Sequence, residues 1–119
     1  MRKTVLFVLA TLGAVTPALA APSATVDRTG YTAIAAGDLS TAEQRIVAER
    51  KIFPQRPELM LNQASAYHRT GRESEARALY AAVLARPAVA MDLPSGAVLS
   101  SHDIASRALG QQTQQIATR

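Results

Sequence analysis

Shifted by 34 residues, the sequence falls on itself at a run of positions. Gly37 lands on Gly71, Ala42 on Ala76 and Ala48 on Ala82. The same shift puts Gly30 on Ala64, Val26 on Met60 and Ile46 on Tyr80, while Pro54 and Pro87 lie 33 apart, one residue short of register. Small positions meet small ones, apolar positions meet apolar ones, and each unit closes at a proline. A period of this length marks one supersecondary unit used twice, and such a unit cannot bury its apolar face alone. The fold must therefore come from stacking.

The second unit, 57–87, is the clearer copy. Pro57 suits the first turn of a helix, where its missing N–H is no loss, and Glu58 favours the positive helix end. Met60, Ala64 and Tyr67 recur at spacings of four and three, which makes one apolar stripe. Gly71 ends this helix after basic residues in its last turn, as the dipole prefers. A second helix over 73–85 carries Ala76, Leu79, Tyr80, Val83 and Leu84 on one face, and Arg86-Pro87 stops it. Two helices of about three turns joined by a tight glycine turn form an antiparallel hairpin.

The first unit, 26–56, repeats this less fully. Gly37-Asp38-Leu39 is the turn, and Ser40-Thr41-Ala42-Glu43 reads as a capping box. Leu39, Ala42, Ile46 and Phe53 carry the apolar face up to Pro54. A weak leading helix is expected over 25–36, interrupted by Gly30, with nearby threonines lowering its intrinsic stability.

Ala64-x-x-Tyr67-x-x-x-Gly71-x-x-x-x-Ala76-x-x-x-Tyr80-x-x-Val83, closing at Pro87, resembles a tetratricopeptide repeat. Gly30, Gly37, Asp38, Leu39, Ala42, Ile46 and Pro54 resemble a second, degenerate copy, so the likeness covers residues 26–87. Three positions depart from the family pattern: Gln63 stands where a large apolar residue is usual, Met60 where tryptophan or another bulky residue is, and Ala33 where tyrosine is. The resemblance implies an all-α fold, a short α-solenoid of antiparallel hairpins. In it Gly30, Ala42, Ala64 and Ala76 let helices approach closely, and Tyr67 and Tyr80 fill the wedge between them. It also implies that the leading helices line a concave groove for protein or peptide segments. The groove candidates are Tyr31, Ile34, Glu58, Leu61, Ser65, His68 and Arg69. The family's clamp for carboxyl termini needs Lys and Asn where this chain has Leu61 and Ser65, so that activity is not inherited. Leu61 and Ile34 could equally pack against neighbouring structure.

A third copy is missing. Another step of 34 predicts Tyr at Ser101, Gly at Ala105 and Ala at Gly110, and none fits. A stack normally needs about three repeats with polar end caps, so residues 88–119 must do something else. Val89, Met91, Leu93, Val98 and Leu99 surround Pro94-Ser95-Gly96, a turn signal that allows an apolar loop or a short hairpin. Ser100-x-x-Asp103 offers a cap for a helix over 100–109, with Ile104, Ala105, Ala108 and Leu109 on one side. Gly110 is expected to end it, and the polar residues 111–119 to fray.

The first twenty residues read as an address. Arg2 and Lys3 precede an uncharged apolar run from Val5 to Val15, Pro17 breaks it, and Ala18-Leu19-Ala20 offers a small-x-small cleavage pattern: a secretory signal peptide, followed by a linker at 21–25. Eleven apolar residues span about 16 Å as a helix, roughly half the hydrocarbon thickness, too short for a membrane anchor. Export to the bacterial periplasm is expected, with no stable membrane insertion once the leader is removed.

That reading reshapes the composition. The whole chain of 119 residues carries a net charge of +4 and a pI near 10.1, figures that suggest nucleic acid. Cleavage removes two basic residues and no acidic one. The remainder stands near neutrality at +2, with arginines scattered among acids rather than clustered on a face. Nucleic acid is not an expected partner. Cysteine is absent, which excludes disulfides, thiolate metal sites and cysteine nucleophiles together. Aromatic residues are only 4%, so alanine-rich helix packing has to hold the domain together.

Catalytic and cofactor signals are weak. Ser100, Ser101, His102 and Asp103 are catalytic residue types, but neighbouring side chains on a helix diverge by about 100° and cannot line up as nucleophile, base and orienter. His68 has no second ligand three or four residues away. Glu73 and Glu75 suit a helix start, and no phosphate loop, H-E-x-x-H or G-x-S-x-G element occurs. The expectation is a non-catalytic interaction module without metal or cofactor. The alternatives are a structural protein that completes its stack by homodimerisation, and an accessory subunit of an envelope enzyme.

Overall fold

The structure, a computed structural model, describes residues 27–117, with side chains through residue 115. The proposed leader, the linker and Val26 lie outside the described residues. Five helices pack in chain order: α1 (Tyr31–Ala35), α2 (Leu39–Arg50), α3 (Pro57–Arg69), α4 (Glu73–Leu84) and α5 (Ser101–Ala117). Between the last two stands a two-stranded antiparallel hairpin, β1 (Ala90–Asp92) and β2 (Val98–Ser100). The domain is thus mostly helical rather than all-α, and of the two readings of 88–99 the hairpin is the one formed. Its turn follows from Pro94-Ser95-Gly96: Gly96 takes φ 89° and donates its N–H to Leu93 O at 2.8 Å.

The two glycine turns are copies of each other. Gly37 and Gly71 both sit at φ 81°, the left-handed conformation that glycine adopts without penalty. Gly37 N–H donates to Ile34 O and Asp38 N–H to Ala33 O; 34 residues on, Gly71 N–H donates to His68 O and Arg72 N–H to Tyr67 O. Both are Schellman motifs, which satisfy the last carbonyls of the leading helix.

Local chemistry also departs from expectation. The leading helix of the first unit is one turn and a half, Tyr31–Ala35, not 25–36. Gly30 does not interrupt it but precedes it, at φ 73°. Asp27 supplies the missing cap by accepting from Ala33 N–H at 3.1 Å and from the Arg45 guanidinium at 3.2 Å. The expected capping box is replaced by Asp38, whose carboxylate accepts from Thr41 N–H at 3.2 Å. Glu43 instead forms an ion pair with Arg72, which spans the two units. α2 stops at Arg50, whose guanidinium donates to Pro54 O four residues further on. Phe53 therefore leaves the apolar face and stands exposed beneath the Arg56 guanidinium.

The interior has two clusters that share α3. Leu59 packs with Ala33, Ile34, Ala42 and Ile46. One residue on, about 100° around the helix, Met60 packs with Leu61, Ala64, Ala76, Tyr80, Val83 and Ala105. Ile46 and Leu59 are fully buried, each worth about 1.5–3 kcal/mol of apolar transfer. Gly30 and the alanines act as expected. A Cβ on Gly30 would stand 2.8 Å from Ile46 Cγ1, and Ala42, Ala64 and Ala76 have no exposed surface.

α5 corrects the reading of the chain's end. It packs on α4 and α3, placing Ala105 in the second cluster with Ile104, Ala108 and Leu109 beside it, so it does cover the second unit. It is not ended by Gly110, however, and residues 111–117 are helical rather than frayed. One helix-interior glycine costs only about 1 kcal/mol relative to alanine. That cost is small enough for the good helix formers that follow, Gln111, Gln112, Gln114 and Gln115, to continue the helix.

Candidate functional site

A groove of about 660 Å³ lies between α3 and the hairpin. From α3 come Glu58, Leu61, Asn62 and Ser65, which are the i, i+3, i+4 and i+7 positions of one helical stripe. Thr29 and Tyr31 close one side, and the run Ala90 to Pro94 closes the other. Leu61 and Tyr80 are buried and Ile104 partly so, which makes them the apolar floor. Asn62 is held in place by donating from Nδ2 to Thr29 O at 2.9 Å, and this ties the entry to α1 onto α3.

Four of the seven expected groove residues meet here: Tyr31, Glu58, Leu61 and Ser65. Ile34, His68 and Arg69 do not. Ile34 is buried in the first cluster. Arg69 donates from its guanidinium to Ile34 O at 2.9 Å and so serves the glycine turn rather than a ligand. His68 is occupied by Glu73, 2.9 Å from its Nδ1. At its C-terminal end the stripe on α3 leaves the groove, Arg69 reaching the first unit and His68 the start of α4. Asn62 and the whole hairpin wall went unforeseen. Asn62 was legible as a member of the stripe, and the wall only by settling the hairpin and its direction.

The electrostatics of the groove are one-sided. Among the described residues no Lys, Arg, His or Cys lines it, whereas two carboxylates do. Glu58 pairs with Arg56 at 3.0 Å. Asp92 is exposed and has no ion-pair partner among the described residues. Burial pushes the Tyr80 hydroxyl above its ordinary range, with Glu73 adding to the shift.

The Ser-Ser-His run at the junction of β2 and α5 is engaged with the backbone. Ser100 Oγ accepts from Asp103 N–H at 3.0 Å, the expected cap of α5. Ser101 Oγ accepts from Val89 N–H at 3.0 Å, and His102 Nε2 lies 2.5 Å from Arg86 O. None of the three meets another. Gln63, placed where an apolar residue was expected, is buried between Arg50, whose guanidinium donates to its Oε1 at 2.5 Å, and the Tyr67 hydroxyl, which accepts from its Nε2 at 2.9 Å. Tyr67 in turn lies under the Arg72 guanidinium, 4.3 Å from the ring centre. Among the described residues no three His, Asp or Glu side chains converge as metal ligands, and no helix is long and apolar enough to cross a membrane. Comparison with protein-family models, with curated proteins and with solved structures found no match to this chain.

Proposed function

We propose that the protein is a non-catalytic protein–protein interaction module of the bacterial cell envelope, built on two tetratricopeptide-like hairpins, which takes up a segment of a partner protein in the groove between α3 and the β-hairpin. The observation that carries this reading is the groove itself. Leu61, Tyr80 and Ile104 form an apolar floor ringed by a few polar groups, the composition typical of binding sites. The 34-residue repetition of the glycine turns supports the repeat reading, and the leader-like residues 1–20 support export.

A photo-crosslinking residue placed at Ser65 in living cells tests it, with Arg77 on the exposed side of α4 as the control. A discrete adduct from Ser65 and none from Arg77 is expected. Equal labelling from both positions, or none from Ser65 under several growth conditions, rejects the reading. Amino-terminal sequencing of the exported chain is expected to begin at Ala21.

One observation favours a second reading, self-association. Val47, Ile52 and Phe53 are 46%, 66% and 46% exposed, and they cluster on and just beyond the outer side of α2. A dimer formed through them would cover this apolar surface. A strict monomer by sedimentation at micromolar concentration sinks this alternative.

A further inference from the structure

One wall of the groove is a sheet edge, and that edge is open. Leu93 N–H donates to Ala97 O at 2.8 Å, and at the other end of the hairpin Ser101 N–H donates to Val89 O at 2.8 Å. Bonded and non-bonded pairs alternate along an antiparallel ladder. With Ala90 opposite Ser100, Met91 opposite Leu99 and Asp92 opposite Val98, the bonded pair between those two ends is Met91–Leu99. The N–H and C=O groups of Ala90 and Asp92 therefore point away from β2. Among the described residues neither makes another backbone hydrogen bond, and both residues are exposed. The run from Ala90 to Pro94 lines the groove without a break. Strand side chains alternate between faces, so an unbroken run marks an edge and not a face. No residue of β2 lines the groove.

From this edge we propose that the partner binds by strand addition: an extended segment in which apolar and basic residues alternate pairs with β1 as a third strand. This rests on the interaction-module reading and specifies the partner it takes. The alternation follows from the two faces of β1. Met91 is partly buried and packs against the second cluster, whereas Asp92 on the opposite face is exposed. An added strand carries its side chains onto those same two faces. On one they extend the layer of Met91, Leu61 and Ile104; on the other they stand beside the unpaired Asp92. Glu58 is already paired with Arg56, so Asp92 is the carboxylate by which a basic segment is attracted and an acidic one repelled. The same charge disfavours a second copy of this chain, which would bring its own Asp92 to the edge. Main-chain bonds would supply affinity and the alternating side chains specificity.

Blocked hexapeptides test this on the intact purified chain by NMR titration, with amide exchange at Ala90 and Asp92 as the local readout. A valine–lysine alternating peptide is expected to slow both amides roughly tenfold or more, and its valine–glutamate counterpart to bind about tenfold more weakly. N-methylation of alternate peptide nitrogens in the phase that faces β1 should weaken binding about three- to tenfold, and in the other phase leave it unchanged. Ala90→Pro removes one outward N–H without touching a bond to β2 and should lower affinity by a similar factor. If that variant disturbs the hairpin, the N-methylated peptides probe the same bond on the unaltered protein. Asp92→Asn should narrow the preference for lysine over glutamate.

Groove binding with unchanged Ala90 and Asp92 exchange, or equal effects of the two methylation phases, overturns strand addition. Crosslinks from Ser65 would then still uphold the interaction module. Absence of saturable binding by the valine–lysine peptide also overturns it. Loss of the Ser65 crosslink while peptides still add to the edge removes the proposed function instead. A sedimenting dimer with both amides already protected identifies a second copy as the occupant and overturns the partner assigned here.

Discussion

Two glycines of this chain act in opposite directions. Gly30 has a positive φ of 73° and lies against Ile46 Cγ1 and Ala42 O, so a side chain there meets both backbone strain and overpacking. Gly30→Ala is expected to destabilise the domain by about 2–4 kcal/mol. Gly110 sits inside α5 with open space where a Cβ would stand. Gly110→Ala is expected to stabilise by about 0.5–1 kcal/mol. Urea unfolding with unchanged m-values checks both. Tyr80 provides a pH signature. Its hydroxyl titrates above its ordinary value in the folded state because it is buried, with Glu73 adding to the shift. Stability linked to it is thus fully present below the unfolded value of about 10 and lost as pH rises through the folded one. Tyr80→Phe should flatten the alkaline limb of a stability–pH profile measured between pH 9 and 11 while leaving the neutral region nearly unchanged.

At the scale of elements, the start and the end of α5 have different causes. α5 begins at Ser101 because the Ser100 hydroxyl takes up the Asp103 N–H. Ser100→Ala should cost about 1 kcal/mol, read as a lowered midpoint in urea with β1–β2 amide protection intact. The stop is different. Gly110 looks like a terminator in a window of ten residues. The helix nevertheless runs on to Ala117, since the glutamines that follow are good helix formers and a single glycine costs only about 1 kcal/mol. The hairpin obeys local rules throughout: Pro94 and Gly96 set the turn, the turn sets the register, and the register decides which backbone groups are left open.

For the molecule as a whole, α5 and the β-hairpin add a third layer to the two helical hairpins. α5 covers Tyr80 and Val83 through Ala105, and β1 and β2 connect it to α4. Deleting residues 88–119 should therefore cost the cooperative transition. The truncated chain is expected to bind ANS and to unfold over a broad denaturant range, whereas the intact chain unfolds sharply. Retention of a sharp transition by the truncated chain would mean that the hairpins suffice by themselves. Connections between the units point the same way. The Arg72–Glu43 ion pair, the Arg69 bond to Ile34 O and the Arg50 bond to Gln63 all run from one unit to the other, so the two are expected to melt together.

Sequence alone determined the period, the two glycine turns, the close contacts at Gly30, Ala42, Ala64 and Ala76, and the cap of α5. Each of these depends on residues within a turn or two of one another, or on a spacing that sterics impose repeatedly. Only the tertiary structure decided that Ile34, His68 and Arg69 leave the groove and that β1 turns an open edge toward Leu61. Those outcomes rest on contacts between distant segments, where a few kcal/mol of packing outweighs the preference of any single residue. The direction in which an edge faces has no local code at all: it follows from where the hairpin docks.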